Sequence, residues 1–192
     1  MNQLIFFLTL IVLLLLIIYL DRKYKLLRDI SISDKKPFSY SRVQLAWWTW
    51  IIVTAFITII FANGGNIPVL DSSTLILMGI SAGTTSVASI IDVSDAADKT
   101  RHQDERGKHF LYDIIDDSNG ASIHRLQAVL FNIIFGVWML ITVYNKMECI
   151  PPINTNCLIL LGISAGTYSV VKTSENKQTN STAGTNTADS SK

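Results

Sequence analysis

One hydrophilic stretch holds all three histidines together with several carboxylates, and it is where metal-binding chemistry would be sought first. His102, Glu105 and His109 are spaced i, i+3 and i+7, so on a helix they would share one face as possible zinc ligands. Gly107 interrupts that helix, and many of the neighbouring residues are charged. We therefore interpret the stretch as a solvated, charged connector and predict neither a metal nor a cofactor.

The other residue types that support catalysis lack the spacing of a known motif. The chain has no Walker A loop, no HExxH helix, no GxSxG elbow and no dinucleotide fingerprint. Its two cysteines, Cys149 and Cys157, are too few for a four-cysteine zinc site. A disulfide between them is chemically permitted, although Pro151 and Pro152 restrict its geometry. We predict that the protein is not an enzyme.

Hydroxyl-bearing side chains cluster in two identical GISAGT segments, at 79–84 and 162–167. Both contain glycines at i and i+4, a spacing that lets two membrane helices approach closely. The predicted helix-packing seam consists of Gly79, Ala82, Gly83, Ser86, Gly162, Ala165, Gly166 and Ser169. The alternative is a pore or cavity for a small polar solute or ion, lined by Ser81, Thr84, Ser86, Ser164, Thr167 and Ser169.

The composition places these segments in a lipid bilayer. Apolar residues make up 49% of the 192 and charged residues 16%, below the ~25% of an average soluble domain. Five charge-free stretches approach the ~20 residues that a helix needs to cross a bilayer. They are Leu4–Leu20, Val43–Ala62, Thr74–Ile91, Leu126–Asn145 and Ile153–Val171. A net charge of +1 also argues against direct nucleic-acid binding.

The basic residues decide the number and direction of the spans. Seven of the 16 lie between the first two spans, five between the third and fourth, and three in the tail, which leaves only Lys146. With five spans these three regions share one face, which the positive-inside rule makes cytoplasmic. The N-terminus is therefore predicted outside and the C-terminus inside. The first span lacks the basic start and the cleavage site of a signal peptide, so we predict a retained anchor.

The chain also repeats itself at an offset of 83 residues. Between Arg42–Val87 and Arg125–Val170, 16 of 46 positions are identical. Each copy contains two spans joined by a short turn, so both copies insert in the same direction. Asp71 and Asn154 are the predicted N-caps of the two return helices.

These patterns predict an all-α integral membrane protein with five transmembrane helices. An N-terminal anchor helix accompanies a pseudo-twofold four-helix bundle, which two parallel helical-hairpin repeats build. The predicted organisation is an anchor at 1–20, a basic connector at 21–41, a first repeat at 42–92, a charged loop at 93–124, a second repeat at 125–172 and a disordered cytoplasmic tail at 173–192.

Aromatic and basic residues flank the start of each repeat. Arg42 and Arg125 are predicted to anchor at the level of the lipid headgroups, with their aliphatic stems against the apolar edge. Trp47 and Trp48, followed by Trp50, are predicted to form an interfacial aromatic belt. A cage for a quaternary ammonium ion is the chemical alternative for these indoles.

The segments SYSRVQLAWW and FLYDIIDDSNGASIHRLQ, with the two GISAGT segments, resemble a family of uncharacterised bacterial inner-membrane proteins. That family pairs an aromatic-rich Arg-x-Gln-x-x-Trp/Phe span with a GISAGT-type return span, twice. The resemblance covers about Phe38 to Val171, and it departs at Leu130–Phe131, which replace the tryptophan pair. It implies a bacterial inner-membrane location and the internal repeat.

By analogy of build, the chain is similar to small transmembrane effectors of bacterial antiviral systems. We therefore expect a non-enzymatic, channel-like effector that permeabilises the membrane when a cytoplasmic partner acts on 21–41 or 93–124. No span carries a deep ionisable residue, which argues against an energised transporter. The alternatives are a scaffolding membrane subunit that docks a soluble partner and a passive carrier of a small solute. The expected partners are the lipid bilayer, other copies of the chain and that cytoplasmic protein.

Overall fold

A computed structural model describes residues 2–29, 31, 33–94, 107–117 and 120–185, with the backbone alone at 94, 117 and 171–185. Its regular structure is helical, apart from a two-residue pair of antiparallel strands. The helices are α1 (Asn2–Tyr24), α2 (Tyr40–Ala62), α3 (Ser72–Ser94), α4 (Phe110–Ile115), α5 (Ile123–Lys146) and α6 (Thr155–Thr185). The strands are β1 (Asp116–Asp117) and β2 (Gly120–Ala121).

Four helices, α1, α2, α3 and α5, are long and apolar enough to cross a membrane. Each candidate span has 22 to 24 residues, and at ~1.5 Å per residue this length exceeds the ~30 Å of a bilayer core. The apolar part of α6 is shorter, Thr155–Val170. The predicted all-helical class is confirmed, because the charge-free stretches all form helices.

Helices α2, α3, α6 and α5 form a four-helix bundle in that cyclic order, and α1 packs outside it against α2. Side chains with no exposed surface fill the middle of the bundle. They include Trp48, Ile51 and Ile59 of α2, Leu77 of α3 and Met139 of α5. The bundle of one chain is therefore a packed core.

The two ends of the bundle differ. At one end, which we call the turn end, Asn63 of the α2–α3 turn donates to the Glu148 carbonyl at 3.2 Å. The amide of Ile153 donates to the Ser73 hydroxyl at 2.9 Å, so the two turns contact each other there. The opposite end, the connector end, holds the described segments that precede α2 and α5.

The two return helices begin in the same way. The Ser73 amide donates to the Asp71 carboxylate at 2.8 Å, and the Asn156 amide donates to the Asn154 side chain at 2.9 Å. Both predicted N-caps are therefore confirmed, at the offset of 83 residues. The hydrogen bonds from Ser73 also hold the pKa of the Asp71 carboxyl below its usual value.

The two hairpins nevertheless bury different faces, so their packing does not follow the predicted pseudo-twofold symmetry. Gln44 is buried whereas its counterpart Gln127 is exposed, and Thr49 is exposed whereas its counterpart Asn132 is buried. The physical reason is that the two first helices have different outer neighbours. Helix α1 packs along α2, whereas α5 is covered by the short helix α4 and, at Tyr144, by Phe6 and Phe7 of α1.

The predicted tail and the residues considered as metal ligands lie only partly within the described residues. The backbone of α6 remains helical to Thr185, which differs from the predicted disorder from residue 173; this stretch contains no proline to end the helix. Residues 186–192 lie outside the described residues. His102 and Glu105, which were considered as metal ligands with His109, also lie outside them.

Candidate functional site

The first copy of the predicted glycine seam is not a contact within the chain. Gly79, Ala82, Gly83 and Ser86 are exposed, and a Cβ at either glycine would meet no atom within 4 Å. The buried face of α3 is instead formed by Leu77, Ser81, Thr84 and Ala88. At ~100° per residue the glycine stripe lies on the opposite side of the helix, which is why it cannot face the bundle.

The second copy of the predicted seam, on α6, lies partly at a contact between helices. Ala165 is buried and a Cβ on Gly162 would touch Ile80 of α3 at 3.8 Å, so these two residues do lie at the α3–α6 contact. Gly166 is exposed with open space around it, and Ser169 is half-buried. Within one chain, Gly162 and Ala165 of the predicted seam therefore lie at a helix contact, whereas the α3 residues of the seam do not.

The hydroxyls considered as pore-lining groups are turned back onto their own helices. Each donates to the carbonyl four residues earlier, at 2.7 to 3.1 Å, a common arrangement of Ser and Thr in helices. The six residues are Ser81, Thr84, Ser86, Ser164, Thr167 and Ser169. Their donors are thus satisfied locally and do not form a polar path between helices.

The closest polar contact between the two hairpins is centred on Asn132 of α5. Its side-chain oxygen accepts a hydrogen bond from the Trp48 indole at 2.6 Å, and its amide nitrogen donates to the Tyr40 hydroxyl at 3.2 Å. Its backbone carbonyl accepts from the Trp47 indole at 3.0 Å. Because buried polar groups need partners, these bonds fix how α2 lies on α5. We call Trp47, Trp48, Asn132 and Gly136 the α2–α5 seam.

Gly136 is the glycine at which two helices approach closely. A Cβ there would lie 2.6 Å from both the Trp47 Nε1 and the Ile51 Cδ1 atoms. Gly136 was not among the predicted packing residues, because it belongs to no glycine pair. A signal was present, since Ala128, Asn132 and Gly136 recur every four residues and form one narrow face of α5.

These contacts correct the predicted interfacial anchors. Trp48 is fully buried and Trp47 half-buried, and Trp50 donates to the Leu10 carbonyl of α1 at 2.9 Å. The three indoles therefore join helices instead of forming an aromatic belt, because the N–H of a buried tryptophan needs a partner that neighbouring helices supply.

The two predicted arginine anchors also differ from each other. Arg125 is buried, donates to the Asp116 carbonyl and lies over the Tyr168 ring, 5.2 Å from its centre. The Tyr168 ring in turn packs on Tyr40. Arg125 thus ties the start of α5 to the bundle, which differs from a lipid anchor. Arg42 is half-buried at the connector end, and its role as a lipid anchor stays a prediction.

Segments of both connectors meet at the connector end and form one structure, which we call the connector layer. It consists of residues 25–29, 31, 33–39, 107–117 and 120–122. The Lys35 ammonium donates to the Lys108 carbonyl and the Gly107 amide donates to the Lys35 carbonyl, each at 2.8 Å. The Asp113 carboxylate accepts from the amides of Phe38 and Lys108, at 3.2 and 2.9 Å. The layer therefore links the segments that precede α2 and α5.

A small cavity lies beneath the connector layer and beside the α2–α5 seam. Its volume is about 200 Å³, and α4 contributes Phe110, Leu111 and Ile114 to its lining. Gln44 also lines it, and the buried side-chain oxygen of Gln44 has no hydrogen-bond partner. The cavity separates α4 from α2 and α5, so α4 is less tightly packed there than the core is.

Among the described residues, no group of three His, Cys, Asp or Glu side chains could hold a metal ion. Cys149 is exposed and Cys157 half-buried, and both thiols are free. The described geometry therefore centres on helix contacts and the connector layer. Comparison of the chain with protein-family models, with curated proteins and with solved structures finds no match.

Proposed function

We propose that the protein is a non-enzymatic, multi-pass protein of the bacterial inner membrane that permeabilises the membrane when a cytoplasmic partner acts on the connector layer. The chain crosses the membrane five times, with its N-terminus outside, and serves as an effector in antiviral defence. The observation that carries this proposal is the connector layer, because it joins both cytoplasmic connectors to the helices of the α2–α5 seam.

The distribution of charge supports the membrane topology. The described basic side chains lie at the connector end or on the chain leading into it, except Lys146 at the turn end. Cytoplasmic loops carry such an excess of Lys and Arg. Helix α6 packs beside α3 and α5, both long enough to span, and this supports a fifth crossing.

The route from the partner to the bundle is short. Pulling α4 away would remove the hydrogen bond from the Phe38 amide to Asp113, and the Phe38 ring would lose its edge-on contact with Phe110, whose ring centre is 4.9 Å away. The Arg28 guanidinium also stacks on the Phe38 ring, 3.5 Å from the centre of that ring. A protein that binds the layer can therefore shift α2 against α5.

The filled core bears on how a permeable state arises. Because Trp48, Ile51 and Met139 occupy the middle of one bundle, ions cannot follow its axis in this arrangement. The proposed path therefore forms between several copies of the chain. The exposed small-residue stripe of α3 would let a second backbone approach closely, as membrane helices require.

The proposal is tested by loosening the connector layer in cells that express the protein. Asp113→Ala removes the carboxylate that holds the amides of Phe38 and Lys108, so we expect a severalfold higher uptake of a membrane-impermeant dye and a faster loss of membrane potential than in the wild type. The matched control is Asp34→Ala, because Asp34 is an exposed carboxylate in the same layer. It should behave as the wild type.

The opposite outcome favours the scaffolding function. If the wild type and Asp113→Ala both leave the membrane potential unchanged, while a soluble protein purifies with the chain in fixed ratio, the effector proposal is wrong. Asp113→Ala should then weaken that co-purification, because the docking surface would include the connector layer.

A further inference from the structure

We propose that the groove between α1, α2 and α3 binds one anionic phospholipid of the cytoplasmic leaflet, with its phosphate on Arg42 and an acyl chain between α1 and α2. This inference rests on the membrane location in the proposed function. It adds a binding site and a ligand class to that function.

The groove is large and almost entirely apolar. Its volume is about 480 Å³, within the ~300–1,000 Å³ of typical ligand pockets. One wall is formed by Leu13, Leu16, Ile17 and Leu20 of α1. The opposite wall is formed by Leu45, Ala46, Thr49, Trp50 and Val53 of α2. The rest of the apolar lining comes from Leu26 and Leu27, which follow α1, and from Thr85 and Ser89 of α3. Such a surface accepts a hydrocarbon chain.

The charge at the connector end of the groove selects an anion. Arg42 lines the groove and is half-buried. In the part of the chain that the structure describes, no carboxylate pairs with its guanidinium and no hydrogen bond satisfies it. Its counterpart Arg125 is instead engaged within the chain, where its guanidinium donates to the Asp116 carbonyl and lies over the Tyr168 ring. No described residue occupies the Arg42 donors, and a phosphate fits the guanidinium geometry.

The length of the groove matches one leaflet. From Arg42 to Val53 the groove follows α2 over eleven residues, about 16 Å at 1.5 Å per residue. This is close to half of the ~30 Å hydrocarbon core of a bilayer. A phospholipid with its phosphate at Arg42 would therefore end its acyl chain near the midplane. Basic pockets between helices on the cytoplasmic side are known sites for anionic headgroups.

The test measures which lipid stays bound. Full-length protein is reconstituted in phosphatidylcholine vesicles containing a minority of phosphatidylglycerol, extracted in mild detergent and analysed by native mass spectrometry. We expect one retained phosphatidylglycerol per chain. Arg42→Gln should lower the preference for phosphatidylglycerol about tenfold, because a charge-assisted bond to the phosphate is lost. Ala46→Trp should fill the groove and remove the retained lipid of either kind.

Arg22→Gln is the matched control, since Arg22 is exposed at the same end of the protein, carries the same charge and does not line the groove. It should retain phosphatidylglycerol as the wild type does. An equal preference in Arg42→Gln and Arg22→Gln, or a wild type that retains both lipids alike, overturns the inference. Protein that fails to float with the vesicles at all contradicts the membrane location itself, so the two failures are distinguishable.

Discussion

Gly136→Leu is expected to lower the unfolding temperature of the detergent-solubilised protein by about 6 °C or more, whereas Gly83→Leu leaves it unchanged. At Gly136 even a Cβ would lie 2.6 Å from the Trp47 indole nitrogen, which is itself bonded to the Asn132 carbonyl. The rigid indole has to move, and overpacking of this kind costs about 3 kcal/mol. In a chain of this length that cost corresponds to the stated shift.

The same substitution at Gly83 is the control, because no atom lies within 4 Å of a Cβ there. Unfolding is followed by circular dichroism in detergent, where each chain is measured apart from a bilayer. If Gly83→Leu destabilises the chain and Gly136→Leu does not, the close contact lies on α3 as the GISAGT pattern predicted. The assignment of the α2–α5 seam as the close helix contact would then be wrong.

Asn132→Ala is expected to destabilise the bundle by about 2 kcal/mol. The substitution leaves the buried Trp48 indole N–H and the Tyr40 hydroxyl without the partner that now binds both. A buried donor without a partner costs ~1–3 kcal/mol, although interhelical hydrogen bonds in membranes average less. The emission maximum of the tryptophans should shift to longer wavelength as water reaches Trp48.

Asn145→Ala is the matched control, since Asn145 is an exposed asparagine near the end of the same helix. Its unfolding temperature and emission should equal those of the wild type. Equal stability of Asn132→Ala and Asn145→Ala would show that the hydrogen bonds of Asn132 do not hold α2 on α5.

The sequence predicted where the helices lie better than it predicted how they face each other. Charge-free stretches and the caps Asp71 and Asn154 placed the helices correctly, because both signals are local. The side of each helix that contacts its neighbours was not predictable in the same way. A helix that lies in a lipid bilayer is apolar on all sides. Hydropathy therefore does not separate the side that contacts lipid from the side that contacts another helix.

The tryptophans and glycines illustrate this limit. Trp48 follows the start of a span, where indoles commonly lie at the membrane surface, yet a single asparagine on α5 provides its partner and brings it into the core. Gly79 and Gly83 have the spacing of a packing motif but lie opposite the buried face of α3. Which glycine makes contact depends on the neighbouring helix, and this information is not local in the sequence.

Cysteine labelling tests most directly whether the connector layer and the turns lie on opposite sides of a membrane. In spheroplasts, a membrane-impermeant maleimide should label the native Cys149, which is exposed at the turn end. In a Cys149→Ser, Cys157→Ser background, Asp34→Cys and His109→Cys should be labelled only after the membrane is permeabilised. Labelling of Cys149 and His109→Cys from the same side of an intact membrane would contradict the topology and the function proposed from it.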